Sequence, residues 1–226
     1  MLFIFDLDGT LINTISDLAQ ACNHALSSCG FPTHRIEDYP RLVGNGINAL
    51  IQRALPEDQR DESTVLRLRE YFVPFYDEHN CDLTHPYDGI PQLLQQLKAD
   101  GHLLAVASNK YQAATEKIVA QLFPGVFDVV LGERVGIARK PDPQIVYDIL
   151  EKLSPDMTSP IVYMGDSLVD AATAQSANTS LSESGSGSVV FVACEWGFCT
   201  SEQLQSASPD HLIAHPSELL AILPTL

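Results

Sequence analysis

The opening stretch LFIFDLDGTL contains two carboxylates, Asp6 and Asp8, which come after four apolar residues. Other polar or charged side chains end later apolar stretches or follow them in loops, namely Thr10, Ser108, Asn109, Lys110, Arg139, Lys140, Asp166 and Asp170. If these stretches are parallel strands, their carboxyl ends meet at one edge of a sheet, where the ligands of open α/β folds bind. We therefore expect residues more than one hundred positions apart to form one site.

Four carboxylates in this set, Asp6, Asp8, Asp166 and Asp170, require a counterion. In a partly desolvated crevice they cannot all stay ionised unless a cation neutralises them. Oxygen ligands without Cys or His suit Mg²⁺, which keeps coordination positions for water and a substrate phosphate. The five cysteines include no C-x-x-C pair, so we expect reduced thiols and not a zinc site.

Asp6, Asp8 and Lys140 have the chemistry needed for phosphoryl transfer. Side chains alternate along a strand, so Asp6 and Asp8 share one side if the first strand extends that far. Asp6 could then attack phosphorus to form an aspartyl-phosphate, while Asp8 protonates the leaving oxygen and later activates water. Lys140 would offset the charge of the phosphate oxygens.

Each of these motifs has a structural alternative. D-x-D-G-T on its own is equally typical of a turn or a helix cap. Asp170 lies one helical turn beyond Asp166, and its role could be limited to orienting the water shell of the metal.

Short apolar runs alternate with amphipathic helices from Pro86 onward, which indicates a parallel sheet covered on both faces. Strands are predicted from Leu2 to Asp8, Leu103 to Ser108, Asp128 to Glu133, Ile161 to Asp166 and Val189 to Cys194. Helices are predicted in IPQLLQQLKADG, QAATEKIVAQLF, PQIVYDILEKL and LVDAATAQSA. The predicted fold class is α/β, with a Rossmann-like parallel sheet flanked by helices.

Between Asn13 and about Thr84 the periodicity is helical, with Pro56 and Pro74 expected to break or kink the helices. The first of these helices should end at Gly30. We therefore predict a Rossmann-like core of residues 1–13 and 85–226 and a helical domain of residues 14–84. Because the insertion leaves from the carboxyl end of the first strand, it is placed to act as a lid.

The composition excludes several classes of partner. The formal charge is −16, from 13 basic and 29 acidic residues, and both nucleic acids and anionic membranes would repel it. Met1 is followed almost at once by the first strand, and no apolar run approaches the roughly 18 residues that span a bilayer. We expect a cytoplasmic protein, a monomer or homodimer, acting on a small-molecule phosphate ester.

These motifs together resemble the haloacid dehalogenase superfamily, in its phosphatase branch with a helical cap inserted after motif one. FDLDGTL resembles motif one, VASNK motif two, RKPDP motif three and MGDSLVD motif four. The resemblance implies Asp6 as nucleophile, Asp8 as acid/base and phosphate held by Ser108 and Lys140. It also implies Mg²⁺ held by Asp6, the Asp8 backbone carbonyl and Asp166. Thr10 and Asn109 are further candidates for phosphate binding, and Asp170 for the metal.

The presence of Asp8 argues against dehalogenases and phosphonatases of this superfamily, which lack that acid/base. Within the phosphatase branch, RLVGNGINALIQRAL and the WGF near Trp196 are similar to segments of phosphoglycolate phosphatases, so 2-phosphoglycolate is the favoured substrate. Gly44, Asn45 and Gly46 would let backbone amides approach a small anion. They are almost as typical of a plain turn between helices.

One departure from the family pattern follows motif four, where Ala177-Asn178 replaces an Ala-Gly pair. Asn tolerates the left-handed cap conformation, so we expect the helix to end there, before a flexible Ser/Gly-rich loop at residues 180–188. Two other functions stay open. A phosphosugar mutase would share Asp6 and Asp8, and a catalytically silent binding or regulatory protein could keep the same scaffold.

Overall fold

A computed structural model describes residues 1–155 and 157–225. The chain divides into two compact units, residues 1–12 with 86–226 and residues 13–85. Two short strands, Ile12–Asn13 and His85–Pro86, pair with each other where the chain passes from one unit to the other and back. Within the described residues, none of the helices has both the length and the apolar character needed to cross a bilayer.

The first unit is built on a sheet of six parallel strands. They are β1 (Leu2–Phe5), β2 (Leu103–Tyr111), β3 (Val129–Glu133), β4 (Ile161–Gly165), β5 (Val189–Cys194) and β6 (His211–Ile213). Their spatial order is β3-β2-β1-β4-β5-β6, and every pairing is parallel. This is the Rossmann order, with its switch point between β1 and β4. The predicted fold class is confirmed.

The first strand is shorter than expected, because it ends at Phe5 and not at Asp8. The Asp6 amide still bonds to the Met164 carbonyl at 2.9 Å, but from Leu7 the chain turns back on itself. The Leu7 carbonyl accepts bonds from the amides of residues 10, 11 and 12, and Gly9 takes a positive φ of 91°. The alternation of a strand therefore does not set the relative directions of Asp6 and Asp8.

The second unit consists of helices α1 (Ile15–Ser28), α2 (Gly46–Ala54) and α3 (Glu62–His79), with short 3-10 helices at Ile36–Arg41 and Glu57–Gln59. The predicted apolar face of α1 is buried, and Gly30 follows its end with a φ of 79°. Pro74 was expected to break or kink a helix, and it does not break α3, which is continuous through it. Pro74 is exposed, as is Glu70, so water can solvate the Glu70 carbonyl that loses its donor.

Helices of the first unit lie between its strands and after them. They are α4 (Ile90–Ala99), α5 (Gln112–Leu122), α6 (Gln144–Leu153), α7 (Leu168–Glu183), α8 (Ser201–Ser206) and α9 (Ser217–Ile222), followed by a 3-10 turn at Leu223–Thr225. Apolar residues of α6 and α7 pack in one buried cluster with Leu2 and Ile4 of β1. This packing holds β1, which Asp6 follows, against α7, which carries Asp170.

The expectation that α7 would end at Asn178 was also wrong. The helix continues to Glu183 and so includes the first residues of the Ser/Gly-rich segment. Asn178 uses its side-chain oxygen to accept a bond from the Val189 amide at 2.9 Å. Gly185, with a φ of 66°, supplies the left-handed residue after the helix instead.

Candidate active site

Three buried carboxylates meet at the carboxyl edge of the sheet. Asp6 follows β1, Asp166 follows the neighbouring β4, and Asp170 lies in the first turn of α7. One oxygen from each of the three lies within 4.8 Å of the others. The topology brings them together because β1 and β4 are adjacent at the switch point, although 160 positions separate Asp6 from Asp166.

Lys140 contacts two carboxylates of this cluster. Its Nζ donates to Asp6 Oδ1 at 2.6 Å, to Asp170 Oδ1 at 2.7 Å and to the Ala107 carbonyl at 2.8 Å. The residue is only 3% exposed. Three acceptors satisfy all three N–H groups of the ammonium, so the lysine is fixed in place. Asp170 is held on its other oxygen by the Ser167 hydroxyl, at 2.5 Å.

Asp166 is held by neutral donors. The Thr10 hydroxyl donates to its Oδ1 at 3.2 Å, and the Phe198 amide donates to its Oδ2 at 2.7 Å. Glycine is required beside it at Gly9, where a Cβ would come within 2.7 Å of the Asp166 Cγ and where φ is positive. The backbone therefore packs closely around this carboxylate.

The electrostatics of the cluster are unbalanced. Burial, and then the negative charge of Asp170, raise the pKa of Asp6 to about 7 even though Lys140 opposes the shift. Burial and the charges of Asp6 and Asp170 raise the pKa of Asp166 well above its usual range. Burial would lower the pKa of Lys140, but Asp170 and Asp6 outweigh it and raise that pKa well above its ordinary value. The three carboxylates thus carry more negative charge than one ammonium can offset.

A divalent cation fits this arrangement. The donors are carboxylate oxygens from three buried residues within reach of one ion, a set that suits Mg²⁺. Added positive charge would also relieve the repulsion that raises the pKa values of Asp6 and Asp166. The haloacid dehalogenase resemblance adds the Asp8 backbone carbonyl to this ligand set.

The Asp8 side chain faces a second lysine. Lys110 Nζ lies 3.0 Å from Asp8 Oδ1, and both side chains are largely buried. The sequence placed Lys110 at the end of β2 but indicated no role for it. Since Asp8 is outside the three-carboxylate group, each of the two candidate catalytic aspartates has its own lysine, Lys140 for Asp6 and Lys110 for Asp8.

Ser108 and Asn109 follow the apolar part of β2, beside these lysines. The buried Ser108 hydroxyl accepts a bond from the Lys110 amide at 3.1 Å. The Asn109 side-chain amide donates to the Lys140 carbonyl at 2.9 Å and so ties β2 to the loop that carries Lys140. Their predicted contact with phosphate stays a prediction.

Gly44, Asn45 and Gly46 belong to the helical unit, where three successive positive φ angles of 108°, 62° and 81° precede or begin α2. Arg53 stabilises this turn, since its Nη1 donates to the Gly44 carbonyl at 2.7 Å. Three consecutive left-handed residues explain the two glycines. Their role in binding a substrate stays a prediction.

Residues after β5 contribute to the site without having been expected there. The Trp196 indole donates to the Thr10 carbonyl at 3.0 Å, and the Phe198 amide contacts Asp166. The Tyr163 hydroxyl, 3.4 Å from Asp170 Oδ1, was missed as well. The WGF motif was the available signal for the first pair, whereas Tyr163 is hidden within an apolar strand.

Comparisons with known proteins agree with this geometry. A family model described as haloacid dehalogenase-like hydrolase matches residues 3–182. A phosphoglycolate phosphatase of Aquifex aeolicus is 30% identical over 97% of this chain and 95% of its own length, and one of Aliivibrio fischeri is 30% identical over 98% and 96%. A crystal structure from Lactobacillus delbrueckii subsp. bulgaricus has a TM-score of 0.86 and 32% identity, covering 96% of this chain and 95% of its own.

Proposed function

The chain belongs to the haloacid dehalogenase-like hydrolases and is a phosphatase acting on small phosphate esters, and on this premise we propose that it hydrolyses 2-phosphoglycolate. In this proposal Mg²⁺ is the cofactor and Asp6 carries the phosphoryl group as an aspartyl-phosphate. The observation that carries the proposal is the buried Asp6 carboxylate, which lies 2.6 Å from Lys140 within the Asp6, Asp166 and Asp170 cluster.

In the first step an Asp6 carboxylate oxygen attacks phosphorus as the bond from phosphorus to the leaving oxygen breaks. Asp8 donates its proton to that oxygen, which departs as an alcohol. In the second step a water oxygen attacks the phosphorus of the aspartyl-phosphate while Asp8 takes its proton. The bond from phosphorus to Asp6 then breaks, releasing inorganic phosphate and restoring the carboxylate.

In this proposal Lys140 and the cation both supply positive charge to the reaction. Lys140, fixed by Asp170 and Ala107, offsets negative charge where Asp6 and the phosphate oxygens approach each other. Mg²⁺, when bound by Asp6, Asp166 and the Asp8 backbone carbonyl, would supply the positive charge that lets an anionic nucleophile and an anionic phosphate meet. Asp166 is bonded to the neutral Thr10 hydroxyl and Phe198 amide, which suits it to hold a metal.

Support for 2-phosphoglycolate comes from the relatives, because two proteins of that activity match nearly the whole chain at 30% identity. The positive-φ turn at Gly44–Gly46 is consistent with this proposal, since its backbone amides suit a small anion.

A substrate panel tests the proposal. Purified protein with MgCl₂ is given 2-phosphoglycolate, p-nitrophenyl phosphate or glucose 1-phosphate, and both free phosphate and isomerised sugar are measured. We expect kcat/KM for 2-phosphoglycolate to exceed the other two by at least about tenfold. Equal rates would overturn the substrate assignment, and isomerised sugar without free phosphate would indicate the mutase.

Asp6→Asn is the matched control for the panel. It removes the nucleophile and keeps the volume, so turnover should fall at least about 10³-fold with an unchanged circular dichroism spectrum. Normal turnover in this variant would refute Asp6 as the nucleophile.

A further inference from the structure

The loop that follows β5 contacts both halves of the candidate metal site. The Trp196 indole N–H donates to the Thr10 carbonyl at 3.0 Å, within the turn that follows Asp6 and Asp8. Two residues later, the Phe198 amide donates to Asp166 Oδ2 at 2.7 Å. One short loop is therefore bonded to the turn of β1 and to the carboxylate that follows β4.

Thr10 closes these contacts into a ring. Its hydroxyl, which is buried, donates to Asp166 Oδ1 at 3.2 Å. The ring runs from Trp196 to Thr10, from Thr10 to Asp166 and from Asp166 to Phe198, and the chain itself joins the last residue to the first. Gly197 lies inside this connection, and a Cβ there would collide with the Asp166 side chain.

The ring acts on the carboxylate of the cluster that neutral donors hold. Asp6 and Asp170 are each bonded to the Lys140 ammonium, whereas Asp166 is bonded to neutral groups. A neutral donor gives the carboxylate a hydrogen bond without the attraction of an opposite charge. The position of Asp166 therefore depends on where Thr10 and Phe198 are held. Trp196 bonds the Thr10 carbonyl, and Phe198 follows it two residues later in the same loop.

We infer that Trp196 is a positioning residue for the metal site, which its indole N–H maintains by fixing the Thr10 turn against Asp166. This rests on the proposed function in one respect, that Mg²⁺ is the ion bound. Outer residues of this kind typically change metal affinity by one to two orders of magnitude. Trp196 is also the one tryptophan of the sequence, so its fluorescence reports on the site without interference.

The test compares Mg²⁺ affinity in Trp196→Phe and in wild-type protein. Phenylalanine keeps an aromatic ring but loses the N–H donor together with part of the ring volume of the indole. Dissociation constants come from the rise of the melting temperature with MgCl₂ concentration, followed by circular dichroism. We expect the constant to increase about tenfold in Trp196→Phe. Tyr39→Phe is the matched control, because it also removes an aromatic donor, the hydroxyl that bonds Asn23 at 2.8 Å in the helical unit, and its Mg²⁺ affinity should equal that of wild type.

Gly197→Ala provides a second variant that keeps the tryptophan. Its methyl group must displace the Asp166 side chain, so a fluorescence titration with MgCl₂ should also show weakened binding. Wild-type affinity in Trp196→Phe, or in Gly197→Ala where the first variant does not fold, would overturn the inference and leave the proposed function intact. A wild-type protein that does not bind Mg²⁺ would overturn both.

Discussion

Among the residues that the structure describes, both units bury carboxylates, and they hold them in different ways. In the helical unit, Asp17 is 1% exposed and is held by backbone groups, with the Leu83 amide 3.1 Å from both of its oxygens and the Thr84 amide 2.8 Å from Oδ2. In the sheet unit, Asp6, Asp166 and Asp170 form one cluster, in which a lysine bonds Asp6 and Asp170.

The difference shows which buried charge is structural and which is available for chemistry. Asp17 lies in the first turn of α1, where the helix dipole favours a negative charge, and its amide bonds tie the returning chain to that helix. Backbone N–H groups of the fold therefore satisfy the hydrogen-bonding needs of this carboxylate. In the three-carboxylate cluster, burial and then the neighbouring negative charges raise the pKa values of Asp6 and Asp166, and a bound cation would relieve the repulsion between them.

The largest effect is expected from the removal of Lys140, which bonds two carboxylates of the cluster. Lys140→Ala leaves the carboxylates without their internal cation, so we expect kcat/KM to fall by about 10²- to 10³-fold and inorganic phosphate to inhibit more weakly. Steady-state kinetics with phosphate as inhibitor measure both effects. Lys98→Ala is the control, because it breaks a partly exposed pair with Asp128 (2.6 Å) and should change kcat/KM less than twofold. Unchanged kinetics in Lys140→Ala would remove this residue from the reaction.

Mg²⁺ should stabilise the protein through the cluster and not through Asp17. At a concentration of about 100 times the dissociation constant, binding contributes about 2.7 kcal/mol, which corresponds to a rise in melting temperature of about 5–10 °C for a chain of this size. Melting curves in EDTA and in MgCl₂ measure the rise. We expect Asp17→Asn to keep it and Asp166→Asn to lose it. An equal rise in Asp166→Asn would place the ion elsewhere.

Much of the sheet could be predicted because buried parallel strands are continuous apolar runs. The predicted bounds of β5, Val189–Cys194, agree with the structure. β6 was missed because His211–Ile213 has three residues, and its pairing with β5 is a long-range contact that no local pattern records. The end of β1 was misplaced because the turn at Leu7–Ile12 depends on backbone bonds within the folded loop.

In the candidate site, the meeting of Asp6, Lys140 and Asp166 could be anticipated from strand ends that share one edge of a sheet. The contacts that hold them could not. The Phe198 amide that bonds Asp166 is a backbone group, and backbone groups have no signature in a sequence. Periodicity does not predict the pairing of Lys110 with Asp8 either, because Asp8 lies beyond the end of β1 and Lys110 lies where the pairing of β2 with β3 shifts register.

The smallest expected effect is that of Asp17→Asn, which tests the other side of the comparison. An asparagine has one acceptor oxygen, so its NH₂ group would face an amide donor, and we expect a loss of about 1–3 kcal/mol in the free energy of unfolding. Urea unfolding measures it as a lower midpoint at constant slope. Asp58→Asn removes an equal charge from an exposed position of the same unit and should change the free energy by less than about 0.5 kcal/mol. If Asp17→Asn instead weakened Mg²⁺ binding and left stability unchanged, the two kinds of buried carboxylate would not be distinct, because the one held by backbone amides would also act on the metal.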